Sequence, residues 1–131
     1  KLLGLNLFPK EVAAKEIAYY KTKQNKYGLP LDNRVDRRRG NVHYTKLDWI
    51  VWTATMAESQ QDFAAFIDPV VLFLNESPSR VPMTDWYDTL SGKQVGFQAR
   101  SVVGGVFIPL LKDPEPPVRR QAAWAIGVLS K

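Results

Sequence analysis

Residues 84–100 bring several side chains that could do chemistry close together in the sequence. The members are two carboxylates, two aromatic rings, an amide and a guanidinium: Asp85, Trp86, Tyr87, Asp88, Gln98 and Arg100. Glycines at 92 and 96 predict a loop, and loops on a rigid scaffold are where binding and catalytic groups concentrate. The same residue types also make an ordered surface turn, because Asp88, Thr89 and Ser91-Gly92 are turn residues. Spacing alone leaves both interpretations open, since it shows no metal, phosphate or triad signature.

The run from Asp85 to Gly105 resembles the C-terminal part of the fungal glutaminase A family. Leu2–Pro9, Tyr27–Arg34 and Tyr44–Trp49 resemble the same family in the same order. The resemblance implies a secreted amidohydrolase that releases ammonia from glutamine, and a C-terminal region built as an all-helical toroid of helical hairpins. It also implies two partners for this chain, the small molecule glutamine and the rest of its own parent chain.

Length and composition predict a folded piece of a larger protein. The chain has 131 residues, of which 45% are hydrophobic, so it can form a core. No run approaches the roughly 20 apolar residues that cross a bilayer, so we expect no membrane contact. The chain begins with Lys1 and no leader follows, so we expect any signal peptide to lie upstream. An extracellular location is implied by the family alone.

The charge pattern argues against a nucleic-acid partner. Much of the net charge of +5 comes from Arg37-Arg38-Arg39 and Arg119-Arg120, while the middle of the chain is rich in acidic residues. No segment combines a basic stripe with aromatic stacking positions. The absence of cysteine removes disulfides and thiolate ligands, and we expect neither a metal nor another cofactor.

Apolar periodicity predicts an all-α fold of about five helices with two long loops. The predicted helices cover residues 10–24, 46–57, a segment starting at the N-cap Ser59 and running past Leu74, 100–112 and 118–129; residues 1–8 are predicted to end an upstream helix. Gly104-Gly105 weakens its helix, and close approach of a neighbouring helix would explain the pair. With the resemblance, this predicts a partial α/α toroid over residues 1–112 and a Pro-rich linker with a short helix over residues 113–131.

The loop over residues 25–43 departs from the family. About half a dozen extra residues, Arg37–Val42, separate the runs that resemble glutaminase A. Loop length enters stability only logarithmically. The sequence therefore predicts either an extruded, tolerated insertion or a segment introduced by a gene-model error such as a retained intron.

Hydrolysis of a carboxamide needs a nucleophile, a proton-handling group and a means of stabilising the oxyanion. Cysteine is absent, and a triad would rest on the single histidine, His43. Carboxylate chemistry remains: Asp48 and Asp88 are the catalytic candidates, Asp85 belongs to the same group, and the substrate-binding candidates are Tyr44, Lys46, Trp86, Tyr87, Gln98 and Arg100. Asp48 is equally explained by charge compensation at a helix N-terminus. Arg100 either binds the substrate carboxylate or pairs with Asp85 or Asp88.

Two other functions stay open. Paired carboxylates beside Trp86 and Tyr87 also suit a carbohydrate-active α/α barrel. Residues 113–125 resemble a HEAT-type helical repeat, which would make the chain a non-catalytic interaction module.

Overall fold

Four α-helices and one 3₁₀ helix form the fold in the computed structural model, which describes residues 5, 7–31, 35–36, 40–79 and 83–129. They are α1 (Lys10–Lys21), α2 (Leu47–Ala54), α3 (Gln60–Glu76), the 3₁₀ helix Ser101–Lys112, and α4 (Pro116–Leu129). The all-α class and the number of helices are confirmed. The closure of a toroid and the domain division at residue 112 stay predictions.

The predicted end of α1 is wrong, and the described residues before α1 do not form the predicted helix. Helix α1 stops at Lys21, because the N–H groups of Thr22 and Lys23 close onto the carbonyls of Tyr19 and Tyr20 at 3.0 and 2.9 Å, and the Thr22 hydroxyl donates to the Tyr19 carbonyl at 2.7 Å. The described residues of the predicted upstream helix, among them Leu7 and Phe8, are not helical and lie exposed. The other residues of that segment, 1–4 and 6, lie outside the described part.

Helix α2 is shorter than predicted, and α3 begins where predicted. Lys46 belongs to a strand, and after Ala54 the chain tightens into turns in which the N–H of Ala57 donates to the Ala54 carbonyl at 3.0 Å. The Ser59 hydroxyl accepts the N–H of Asp62 at 3.0 Å, so Ser59 is the N-cap of α3.

The two predicted loops contain short antiparallel strand pairs. Strand β1 (Val35–Asp36) pairs with β2 (Gly40–Asn41), and β3 (Tyr44–Lys46) pairs with β4 (Trp86–Asp88). In the second pair, Tyr44 lies opposite Asp88, Thr45 opposite Tyr87, and Lys46 opposite Trp86. The predicted insertion Arg37–Val42 lies partly outside the described residues; its extrusion stays a prediction.

The β3–β4 ribbon separates core from surface because successive side chains of a strand point to opposite faces. Thr45 and Tyr87 are buried, and Tyr87 stacks on Phe73 with ring centroids 3.6 Å apart. The core around them is formed by α1, the loop after it, α2 and α3, with these buried members: Ile17, Tyr27, Leu47, Ile50, Ala54, Phe66, Val70, Phe73 and Tyr87.

The 3₁₀ helix lies directly against α2 at the predicted glycine pair. Gly104 and Gly105 are buried, and a Cβ on Gly105 would lie 3.0 Å from the Trp52 ring nitrogen and 3.1 Å from Asp48 Cβ. The Trp52 Nε1–H donates to the Gly105 carbonyl at 3.0 Å. The predicted close approach is therefore confirmed.

Helix α4 starts two residues earlier than predicted. Pro116 and Pro117 occupy its first turn. A proline is tolerated there because the first backbone N–H groups of a helix have no intrahelical partner. Within the described part of the chain, no helix is long and apolar enough to cross a membrane.

Candidate functional site

The β3–β4 ribbon places four predicted site residues on its outer face: Tyr44, Lys46, Trp86 and Asp88. The Tyr44 ring meets the Trp86 ring edge-on, with centroids 5.5 Å apart and planes 72° apart. Lys46 Nζ lies 4.0 Å from the centroid of the Trp86 ring. This distance allows a cation–π contact, so strand register alone brings an aromatic platform and a cation together.

A buried carboxylate connects this ribbon to the helices. Asp85, one residue before β4, is 0% exposed. Its Oδ2 lies 3.3 Å from Lys46 Nζ and 3.7 Å from Arg100 Nη1, while its backbone carbonyl accepts the Leu47 N–H at 2.7 Å. Lys46, Asp48, Asp85 and Arg100 are called the Asp85 cluster below.

Asp48 stands in the first turn of α2 and is 4% exposed. Burial raises the pKa of its carboxyl, and the charge of Asp85 raises it further, against the smaller opposing effects of the backbone N–H groups and Lys46. The Oδ1 atoms of Asp48 and Asp85 are both buried, and neither has a hydrogen-bond partner among the described residues. The cluster thus combines two cations with two acceptor atoms that lack donors.

Asp88 has a structural position instead. Its Oδ1 accepts the N–H groups of Leu90 and Ser91 at 3.0 and 2.7 Å and the Ser91 hydroxyl at 2.8 Å. Partial burial works to raise the pKa of Asp88, but these hydrogen bonds prevail and hold it below its usual value. The turn interpretation of Asp88 fits this geometry, since its Oδ1 already accepts three hydrogen bonds.

The remaining predicted residues fall at three different depths. Tyr87 is 0% exposed, and its hydroxyl donates to the Tyr27 carbonyl at 2.8 Å, so this phenol belongs to the core and does not face a substrate. Gln98 is exposed on the loop before the 3₁₀ helix. Arg100 is the N-cap of that helix, lies over the Phe97 ring at 5.6 Å, and pairs with Asp85 rather than with Asp88.

Gly96 leaves the space that the Trp86 ring occupies. Its φ of +65° favours glycine, and a Cβ there would lie 2.5 Å from two ring atoms of Trp86. The loop also returns to the ribbon through Thr84, whose hydroxyl lies 2.8 Å from the Phe97 carbonyl. The aromatic platform therefore depends on a backbone conformation that the sequence indicated only as a loop.

A cleft of about 280 Å³ lies elsewhere, between α1, the loop after it and α2. Its lining includes Tyr19, Lys23 and Trp49, but none of the predicted site residues. A site for a charged amino acid needs charged groups that converge, and those lie in the Asp85 cluster. We therefore take the cluster, and not this cleft, as the candidate site.

Asp85 is the residue that sequence reasoning undervalued, since it chose Asp48 and Asp88 from the three carboxylates. Strand alternation would have separated Asp85 and Tyr87 from Trp86 and Asp88, had the strand been recognised. Over the same described residues, no group of three or more histidine or acidic side chains could hold a metal ion.

Comparison with known families identifies the class of protein. The model of the glutaminase A six helical-hairpin domain matches residues 1–110, and a HEAT-repeat model matches residues 105–131. The chain belongs to the glutaminase A family, which confirms the resemblance seen in the sequence.

Two fungal relatives agree with this membership. The chain is 41% identical to glutaminase A of Aspergillus oryzae over 113 residues, which are 83% of this chain and 15% of that protein. It is 35% identical over 103 residues to a probable glutaminase of Arthroderma benhamiae, covering 76% of this chain and 11% of that protein. No solved structure gives a significant match.

Proposed function

We propose that the chain is a segment of a secreted amidohydrolase that hydrolyses L-glutamine to L-glutamate and ammonia. Family membership and the names of the two relatives support the reaction. The chain spans 15% and 11% of the lengths of those relatives, so in this proposal it supplies part of a site whose other groups come from elsewhere in a longer protein.

The observation that carries the proposal is the composition of the Asp85 cluster. Lys46 and Arg100 supply positive charge, and their side chains keep 16% and 35% exposure. The buried Oδ1 atoms of Asp48 and Asp85 lack donors, and a buried acceptor without a partner is costly. A free amino acid offers a carboxylate to the two part-exposed cations.

We assign the proton-handling role to Asp48. In the reaction, the oxygen of water bonds to the side-chain amide carbon of glutamine, the C–N bond breaks, and the nitrogen takes a proton and leaves as ammonia. A carboxyl with a raised pKa, as at Asp48, holds a proton closer to neutral pH and is suited to this transfer. Asp85 positions Lys46 and Arg100 toward the substrate carboxylate.

A chimera tests the proposal. This chain replaces the matching 113-residue segment of the Aspergillus oryzae glutaminase A, and ammonia release from L-glutamine is measured. We expect the chimera to be active and the chain alone to be inactive. Asp48→Asn in the chimera is expected to lower kcat by about 10²-fold or more, the usual scale of a general acid–base contribution.

Asp88→Asn is the matched control, because asparagine can keep the turn and the change removes one negative charge, as Asp48→Asn does. It is expected to leave kcat within about threefold. A folded chimera in which Asp48→Asn retains normal kcat would refute the role of Asp48. A folded chimera without ammonia release, while the parent glutaminase is active, would refute the function proposed for this segment.

A further inference from the structure

Helix α4 carries an apolar stripe that nothing in the described structure covers. Residues at positions i, i+4, i+7 and i+11 lie on one side of a helix, and Val118, Ala122 and Ala125 begin such a series. Ala122 is 3% exposed, and the other two are half-buried. This inner side belongs to the α4 surface nearest the 3₁₀ helix, with which α4 makes its main tertiary contacts.

A second series is displaced by one residue, which is a rotation of about 100° around the helix axis. Its members are Pro117, Gln121, Trp124 and Val128, called the Trp124 stripe below. All four are exposed, Trp124 by 64% and Val128 by 46%. The rest of the circumference carries Pro116, Arg119, Arg120, Ala123 and Gly127, and the half-buried Ile126 lies beside the inner side. A helix with two adjacent apolar sides is typical of a helix packed between two neighbours.

The family comparisons indicate what the second neighbour is. The glutaminase model ends at residue 110, so it does not account for α4, whereas the HEAT model covers the end of the 3₁₀ helix and all of α4. Helical repeats of this type bury their apolar faces by stacking on adjacent repeats, and one unit is too small to do so alone. The described part of the chain contains one such unit.

We propose that the Trp124 stripe is a docking surface for a further HEAT-type helical hairpin, with Trp124 inserted into the apolar face of that hairpin. The 3₁₀ helix then has two partners: it lies against α2 through Gly105 and Trp52, and it contacts α4. The hairpin it forms with α4 is therefore the junction between the glutaminase domain and the docked repeat. This inference does not depend on the proposed reaction.

The test fuses a consensus HEAT repeat with a polar capping repeat to the end of the full chain, and follows hydrogen exchange of the backbone amides in α4. Docking should slow exchange by about tenfold or more, because stacked repeats stabilise their neighbours. Trp124→Lys in the fusion should remove the gain. Trp49→Lys is the matched control, since Trp49 is 52% exposed on α2, and it should leave the gain in place.

Three results would overturn the proposal. One is unchanged α4 exchange in a fusion whose added repeat is itself protected. Another is a gain that survives Trp124→Lys. The third is concentration-dependent self-association of the unfused chain that Trp124→Lys abolishes and Trp49→Lys does not, since the stripe would then bind a second copy. If the fusion does not fold, a separate three-repeat consensus array is titrated onto the chain, and no protection of α4 at about 1 mM array also refutes docking.

Discussion

Asp48→Asn and Asp88→Asn should change the stability of the chain in opposite directions, although Asp88 lies in the β3–β4 ribbon and Asp48 follows β3 by two residues. Burial raises the pKa of Asp48, so folding favours its neutral form. Partial burial also acts on Asp88, but the hydrogen bonds from Ser91 and Leu90 lower its pKa, so folding favours its charged form. Replacing either carboxyl by an amide removes its charge. The substitution should therefore raise the free energy of unfolding at Asp48 and lower it at Asp88.

The pH dependence follows from proton linkage. The carboxyl of Asp48 contributes most stability below its ordinary pKa of 3.8, and this contribution is lost as pH rises through the higher folded-state pKa. Asp88 is the reverse case: its contribution is present above 3.8 and is lost as pH falls through the lower folded-state pKa. Between acidic and neutral pH the two contributions change in opposite directions.

The size of each change in the free energy of unfolding follows from the contacts of the two carboxylates. A buried acceptor without a partner, as Asp48 Oδ1 is, costs about 1–3 kcal/mol. Loss of the negative charge from the first turn of α2 offsets about 0.3–1 kcal/mol of this. Asparagine keeps an acceptor oxygen at this position, so Asp48→Asn recovers only the part of this cost that comes from the charge. It should stabilise the chain by at most about 1–2 kcal/mol near neutral pH. Asp88→Asn should destabilise it by about 0.5–1.5 kcal/mol, because its hydrogen bonds lose their charged acceptor.

Urea unfolding at about pH 4 and about pH 7, followed by tryptophan fluorescence, measures both effects. Repeating it at several protein concentrations separates unfolding from association. We expect the gain from Asp48→Asn to shrink at the acidic pH, whereas the loss from Asp88→Asn should persist there, because the folded-state pKa of Asp88 lies below 3.8. The reasoning is refuted if Asp48→Asn destabilises the chain near neutral pH by about 3 kcal/mol or more, since that is the signature of a paired buried carboxylate.

Two further predictions concern packing and use the same urea assay. Gly96→Ala should destabilise the chain by about 2 kcal/mol or more, because it adds a Cβ at a positive φ and against the Trp86 ring. Gly127→Ala, in the exposed last turn of α4, should stabilise it by at most about 0.5 kcal/mol, and equal effects would contradict the described loop. Trp52→Phe should cost about 1–3 kcal/mol by leaving the buried Gly105 carbonyl without its donor, and a neutral effect would show that this contact is not formed.

Helices were predictable because their stabilising pattern is local. The apolar series of α3 and the cap at Ser59 both lie within one segment, and both appear in the structure. The strand pair β3–β4 was missed because three residues are too few to show a period of two. Sequence did not distinguish a 3₁₀ from an α-helix for residues 101–112 either, although Pro109 lacks the N–H that an α-helix would use there.

Site residues were likewise predictable where their partners are close in the sequence and not where their partners are distant. The partners of Asp88 lie two and three residues along the chain, so the turn alternative could be read from the sequence. The partner of Asp85, Lys46, is 39 residues away and depends on strand register, which no local pattern gives. Arg100 pairs with Asp85, which was one of its two predicted alternatives. Its role toward a substrate stays a prediction.

Asp48 joins the stability argument to the functional one. A carboxyl that is buried, near a second buried carboxylate and short of donors makes the fold less stable when it is charged, so stability does not explain its presence. Groups of this kind concentrate at functional sites, where activity requires an environment that shifts the pKa. If Asp48→Asn makes this chain more stable and the chimera inactive, the two results together distinguish a proton-handling aspartate from one that merely compensates a helix N-terminus. A helix-compensating aspartate would give the opposite pair, lower stability and normal turnover.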